Sequence, residues 1–151
     1  MDGGLPAGER VVDWSNGEHT FTVTKLAPTV FVTRGVGVMT GDVMERFIAM
    51  LDREVAAGTR GMIFFHDWEH IESYEPAMRQ KLTEWRRRAP KGATKAINVL
   101  VRSKLVAMGV SASSVLLRLI GLEIQSFSSR EEFNRAIRSA AATRSIASPK
   151  H

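Results

Sequence analysis

The stretch "FFHDWEHIESYEP", residues 64–76, concentrates most of the chain's chemically capable side chains. His66, Asp67, Glu69, His70, Glu72, Ser73, Tyr74 and Glu75 follow directly on the apolar run "RGMIFF". Three chemistries fit these residue types. His66 and His70 stand four apart, a spacing that on a helix puts both imidazoles on one face, as a zinc site requires. The preceding run reads as a strand, however, and four residues of strand span roughly 13 Å at about 3.3 Å each. The acid between the two histidines is Glu69, so the HExxH pattern is not matched. No metal and no cofactor is expected. Acid–base chemistry is the second option, with Asp67 paired to His66 or His70 where a strand ends, the usual ligand edge of an open α/β sheet. No nucleophile elbow, Walker loop or third glycine after Gly35 and Gly37 supports it. A hydrolytic enzyme therefore ranks third among the functional readings, and the expected chain is not an enzyme. The third chemistry is modification or recognition of Ser73, just ahead of a helix start at Pro76.

The elements that must position these residues follow from periodicity. "HTFTVTKL" and "TVFVTRG" alternate around an "AP" break and read as a hairpin. A helix over 40–58 puts Val43, Phe47, Leu51 and Val55 on one face, with Thr40 as N-cap and Gly58 as stop. "RGMIFF" is a continuous apolar run, as in a strand covered on both faces. Pro76 disfavours helical geometry at Glu75 and suits a first helical position, so a second helix starts there with Met78, Leu82 and Trp85 inward. "ATKAINVLV" (93–101) and "LEIQSF" (122–127) are further strands, separated by a mostly apolar third helix over 103–121. Ser128 and Glu131 have capping-box spacing and open a last helix with Phe133 and Ile137 facing the core. Residues 1–18 read as a flexible arm in which "VVDW" could add an edge strand, 19–142 as one domain, and 143–151 as a frayed tail. The order β-β-α-β-α-β-α-β-α makes an α/β fold, a mixed β-sheet with helices packed against it.

Composition narrows the function classes. The 151 residues are 44% hydrophobic and 25% charged, ordinary for one globular domain, and contain no Cys for disulfides or thiolate metal sites. "MDGGLPAGER" lacks the apolar core of a secretory leader, and the longest uncharged run, Leu105 to Leu117, is too short for a bilayer span. A soluble cytoplasmic protein without a transmembrane segment is expected. The net charge of +5 is unevenly spread. Asp67, Glu69, Glu72 and Glu75 crowd one segment. Arg79, Lys81, Arg86, Arg87, Arg88, Lys91, Lys95, Arg102 and Lys104 then follow against Glu84 alone. Cations near a helix C-terminus complement its dipole, and the aromatics fall at core-like positions, so nucleic acid is not the expected partner. In the segment 103–121, Leu105, Met108, Val115, Leu116 and Leu119 cover more than one stripe. Such a helix is buried, forms a homodimer face, or walls an apolar ligand groove.

Four pieces, "VFVTRGVGVMTGDVMERF", "FFHDWEHIESYEPAMRQKLTEW", "VRSKLVAMGVSASSVLLRLIG" and "IQSFSSREEFNRAI", together resemble the STAS-domain superfamily over residues 19–142. The resemblance is to its SpoIIAA-like branch of anti-sigma-factor-antagonist-like domains, distantly related to the CRAL-TRIO lipid-transfer fold. It implies a non-enzymatic regulatory or protein–protein interaction module with a protein partner. In anti-sigma-factor antagonists a Ser at the start of the second helix is phosphorylated by a partner kinase, and the phosphate abolishes partner binding. "IESYEP" places Ser73 at that acceptor position, with Glu72 where an Asp is usual. His66, Asp67, Glu69, His70, Glu72 and Tyr74 would then form a recognition loop. The alternative is a binder of a small apolar or lipid ligand beside the third helix.

Overall fold

The structure, a computed structural model, describes residues 5–101 and 123–147. Its sheet has six strands in spatial order β1 (Glu9–Ser15), β2 (Thr20–Ala27), β3 (Val30–Met39), β4 (Met62–Tyr74), β5 (Thr94–Leu100) and β6 (Glu123–Phe127). The first three pair antiparallel and the rest parallel, so the sheet is mixed. Three helices complete the described fold: α1 (Gly41–Ala56), α2 (Pro76–Arg88) and α3 (Arg130–Ala147). The expected segment over 103–121 lies outside the described residues.

Local chemistry explains the boundaries. Pro28 and Thr29 form the tight turn between β2 and β3, closed by the pairing of Ala27 with Val30. Gly58, at φ +92°, follows α1 in a conformation that other residues adopt at a cost. Thr40 occupies the N-cap of α1, but its hydroxyl is buried without a hydrogen-bond partner. The cap is supplied from afar instead: the Gly41 N–H donates to Glu75 Oε1 at 2.7 Å. Pro76 opens α2 as its sequence position demands. For α3 the capping serine is Ser129, whose Oγ accepts from the Glu132 N–H at 3.2 Å, rather than Ser128. Both serines have an acid three residues on, so spacing alone could not separate them.

Two cores sandwich the sheet. On one face Phe21, Phe31 and Phe64 meet Val43, Phe47 and Leu51 of α1 and Met78 and Trp85 of α2. Trp85 also donates its indole N–H to Asp52 Oδ1 at 2.8 Å, tying α2 to α1. On the other face Val30, Ile63, Phe65 and Leu100 meet Phe133 and Ile137 of α3. Alternating residues of β4 feed opposite cores, which is why "MIFF" reads as continuously apolar.

Three expectations need correction. The edge strand offered by "VVDW" is present as β1 and takes in all of 9–15 from the stretch read as a flexible arm, because Val12 finds a buried place against the core. Helix α3 extends to Ala147, past the expected domain end at 142. The largest change is β4, which continues as strand to Tyr74 and turns the expected recognition loop into sheet. Between the paired positions Asp67 and His70, β4 advances three residues while β3 advances two. Between Ile71 and Ser73 it advances two against one. Each shift adds a residue to β4 and resets its alternation. Phe64, His66, Trp68, Ile71 and Tyr74 thus belong to one face, a spacing that hides the strand from a period-two reading.

If α3 supplies the second core as described, Phe133→Ala should cost about 3–5 kcal/mol. Urea denaturation measures this, and a loss below about 1 kcal/mol would place Phe133 outside a packed core.

Candidate functional site

Consecutive strand residues point to opposite faces, and this separates His66 from Asp67. His66 is buried in an aromatic column, stacked between Phe64 at 5.7 Å and Trp68 at 5.1 Å, with the edge of Phe47 at 6.2 Å. Its Nδ1 lies 2.7 Å from the fully buried Thr33 hydroxyl, the one hydrogen-bonding group that β3 places opposite. Burial, with a smaller contribution from the charge of Arg86, pushes the imidazole pKa down to about 3. His66 is therefore neutral at physiological pH and enclosed by rings.

Asp67 is equally buried, but on the α3 face. Arg130, the first residue of α3, grips it with two hydrogen bonds of 2.8 and 2.9 Å and reaches Glu69 at 2.7 Å. These bonds, that to Asp67 foremost, raise the guanidinium pKa further above its ordinary value. Arg34 Nε lies 4.0 Å from the same carboxylate. His70 is exposed, and its Nε2 stands 3.6 Å from Glu69. The three groups proposed for acid–base work thus fail to converge: His66 faces the α1–α2 core, Asp67 faces α3, and His70 faces solvent. Among the described residues, no three His, Asp or Glu side chains are placed to hold a metal ion.

Past Asp67 the strand changes character. Asp67 is the last residue of β4 paired to β5, opposite Leu100, whereas pairing with β3 runs on to Tyr74. Residues 68–74 therefore overhang the described part of β5. Glu72 and Ser73 are exposed on this overhang, and among the described residues the Ser73 side chain has no hydrogen-bond partner. Tyr74 turns back toward α2, where Arg79 bonds its hydroxyl and lies over its ring. Glu75 caps α1 rather than α2, whose start has no side-chain capping hydrogen bond among the described residues. Of the expected recognition residues, Glu72 and His70 are exposed, Tyr74 and Glu69 half-buried, and His66 and Asp67 buried. The apolar wall expected at Leu105, Met108, Val115, Leu116 and Leu119 lies outside the described residues.

Sequence reasoning missed Thr33, Arg34 and Arg130. A buried acid needs a cation, so Asp67 demanded a partner. Nothing local pointed to a residue 63 positions away.

The same architecture occurs among solved structures. A DUF3478-family protein with a SpoIIAA-like fold, from Shewanella loihica PV-4, superimposes with a TM-score of 0.58 over 82% of this chain and 98% of that one, at 11% identity. The anti-sigma factor antagonist SpoIIAA, in its unphosphorylated form, gives 0.52 over 77% and 96%, at 14% identity. The chain has a SpoIIAA-like fold. The likeness at these identities is one of backbone, and it concerns the SpoIIAA-like part of the sequence resemblance, not the CRAL-TRIO part. No protein-family model matches the sequence, and no curated protein does. Within the SpoIIAA-like frame, the acidic "HDWEHIESY" is the carboxyl half of a central strand running into α2. Among the described residues no helix is long and apolar enough to cross a membrane.

The depressed pKa of His66 has a testable consequence. The unfolded imidazole binds a proton near pH 6.5 and the native one only near 3, so folding stability should fall as pH falls through that window. The slope approaches about 1.4 kcal/mol per pH unit. Chemical denaturation at pH 7.5, 6 and 5 measures it above the range where carboxylates dominate. A His66→Phe protein should flatten the slope there; an unchanged slope would mean that His66 is not buried in its neutral form.

Proposed function

We propose that the chain is a non-enzymatic regulatory module that binds a protein partner through the β4 overhang and the start of α2, with Ser73 as its phospho-acceptor. One observation carries the reading. His66 and Asp67 are engaged in internal pairs, whereas Ser73 stands exposed where β4 meets α2, with no hydrogen-bond partner among the described residues. The sequence resemblance assigns Ser73 the acceptor position, and a solved structure of the same fold is an anti-sigma factor antagonist in its unphosphorylated form.

The electrostatics suit an off-switch. A phosphate adds about −1.5 to −2 charge at pH 7. At Ser73 it would join Glu72 and Glu75, whose repulsion opposes any acidic partner surface and gives the two states different affinities. Glu72 and Ser73, exposed at the end of β4, offer their side chains to a partner protein.

Phosphopeptide mapping of protein from its own cells, beside pull-down of partners with wild-type, Ser73→Ala and Ser73→Asp proteins, tests the reading. Phosphate on Ser73, partners retained by Ser73→Ala and lost at least tenfold by Ser73→Asp are expected. No phosphate together with unchanged binding by Ser73→Asp would end the switch and leave Ser73 as strand surface.

A further inference from the structure

The parallel half of the sheet sorts charge between its two ends. Helices α1, α2 and α3 begin at the carboxyl edge, after β3, β4 and β6, and α1 and α2 return to the amino edge before β4 and β5 start. At the amino edge stand Arg53 in the last turn of α1, Arg60 before β4, Arg87 at the end of α2, Lys91 before β5 and Lys95 near its start, all exposed. Two backbone bonds of 2.8 Å, from the Gly61 N–H to the Gly92 carbonyl and from the Met62 N–H to the Ala93 carbonyl, hold the two connections side by side. The acids at hand are used internally: Asp52 accepts from Trp85 and Arg88, and Glu54 from Lys25 and Thr59. Among the described residues Arg53, Arg87, Lys91 and Lys95 have no ion-pair partner. A helix dipole calls for cations in a last turn, as at Arg53 and Arg87, but not for Arg60, Lys91 and Lys95, which lie outside the helices.

The carboxyl edge carries the opposite surplus. Its cations are taken, Arg130 by Asp67 and Glu69, Lys81 by Glu45 and Arg135 by Glu131. Asp42 in the first turn of α1, Glu72 near the end of β4 and Glu132 in the first turn of α3 are exposed and, among the described residues, without an ion-pair partner.

We propose that the domain associates head to tail with a second copy of itself, the cationic amino edge of one docking on the acidic carboxyl edge of the next. Unlike ends attract and like ends repel, so the contact is heterologous and can continue from copy to copy. Nucleic acid is the poorer occupant of the cationic edge: the complementary charge is already carried by this chain, and no aromatic ring among the described residues is exposed for bases to stack on. Pairing of copies along strand β1 is opposed by its register shift between Arg10 and Val12 and by exposed Glu9, Arg10 and Asp13. The contact does not rest on modification of Ser73, and its test uses neither phosphate nor another protein.

Sedimentation velocity of the wild type at increasing concentration, in about 20 mM and about 300 mM sodium chloride, reads the association directly. In low salt the mean sedimentation coefficient should rise with concentration without levelling at a dimer, and high salt should return it to the monomer value. Neutralising one end with Arg87→Gln, Lys91→Gln and Lys95→Gln, or the other with Asp42→Asn, Glu72→Gln and Glu132→Gln, should abolish that rise. Mixed in equal amounts, the two variants should form a one-to-one dimer that grows no further, because each keeps one intact end. A wild type that stays monomeric in low salt overturns the proposal without any substitution. So does growth that stops at a symmetric dimer, that persists in high salt or in either variant, or a mixture that remains monomeric. Growth abolished by nuclease would assign the cations to nucleic acid and overturn the contact between copies.

Discussion

Strand β4 has to bury polar side chains on both of its faces, and much of the structure is arranged around that requirement. An unpaired polar group or charge taken from water is costly, so each needs a partner at the right depth. On one face Thr33 meets His66 inside a column of rings. On the other, Arg130 reaches across from the start of α3 to hold Asp67 and Glu69. The second pairing fixes where α3 begins. Its capping Ser129 and its guanidinium anchor lie next to each other, so Phe133 and Ile137 arrive in register over the core that holds Val30, Ile63 and Phe65.

This arrangement also limits what the acidic stretch can do. A general base must reach the proton that it abstracts, and a dyad must share a face. His66 and Asp67 share neither face nor partner. His66 and Asp67 are used to hold the sheet, and among the described residues of this stretch His70, Glu72 and Ser73 remain exposed. A common fold does not by itself transfer a role. The likeness to SpoIIAA is one of fold, and the proposed regulatory role rests on how the side chains are placed.

Much of the fold was legible in the chain. The β2–β3 hairpin, the proline start of α2, the apolar stripe of α1 and the inward Phe133 and Ile137 all follow local rules of period and capping, and local rules survive folding. The carboxyl half of β4 was not legible. Two extra residues break its alternation, so Trp68, Ile71 and Tyr74 fall three apart and mimic a turn rich in charge. Ser129 displaced Ser128 because both satisfy the same spacing. Arg130 and Thr33 were invisible as site residues because their roles are set only when distant segments meet.

The extension of β4 to Tyr74 is the claim on which the placement of every candidate residue turns. Backbone hydrogen exchange followed by NMR measures it directly, since ladder amides exchange slowly and loop amides do not. Amides within residues 66–74 that are paired to β3 should be protected nearly as well as those of Ile63 to Phe65. Rapid exchange throughout 66–74, beside a protected 62–65, would contradict it and return the acidic stretch to a loop.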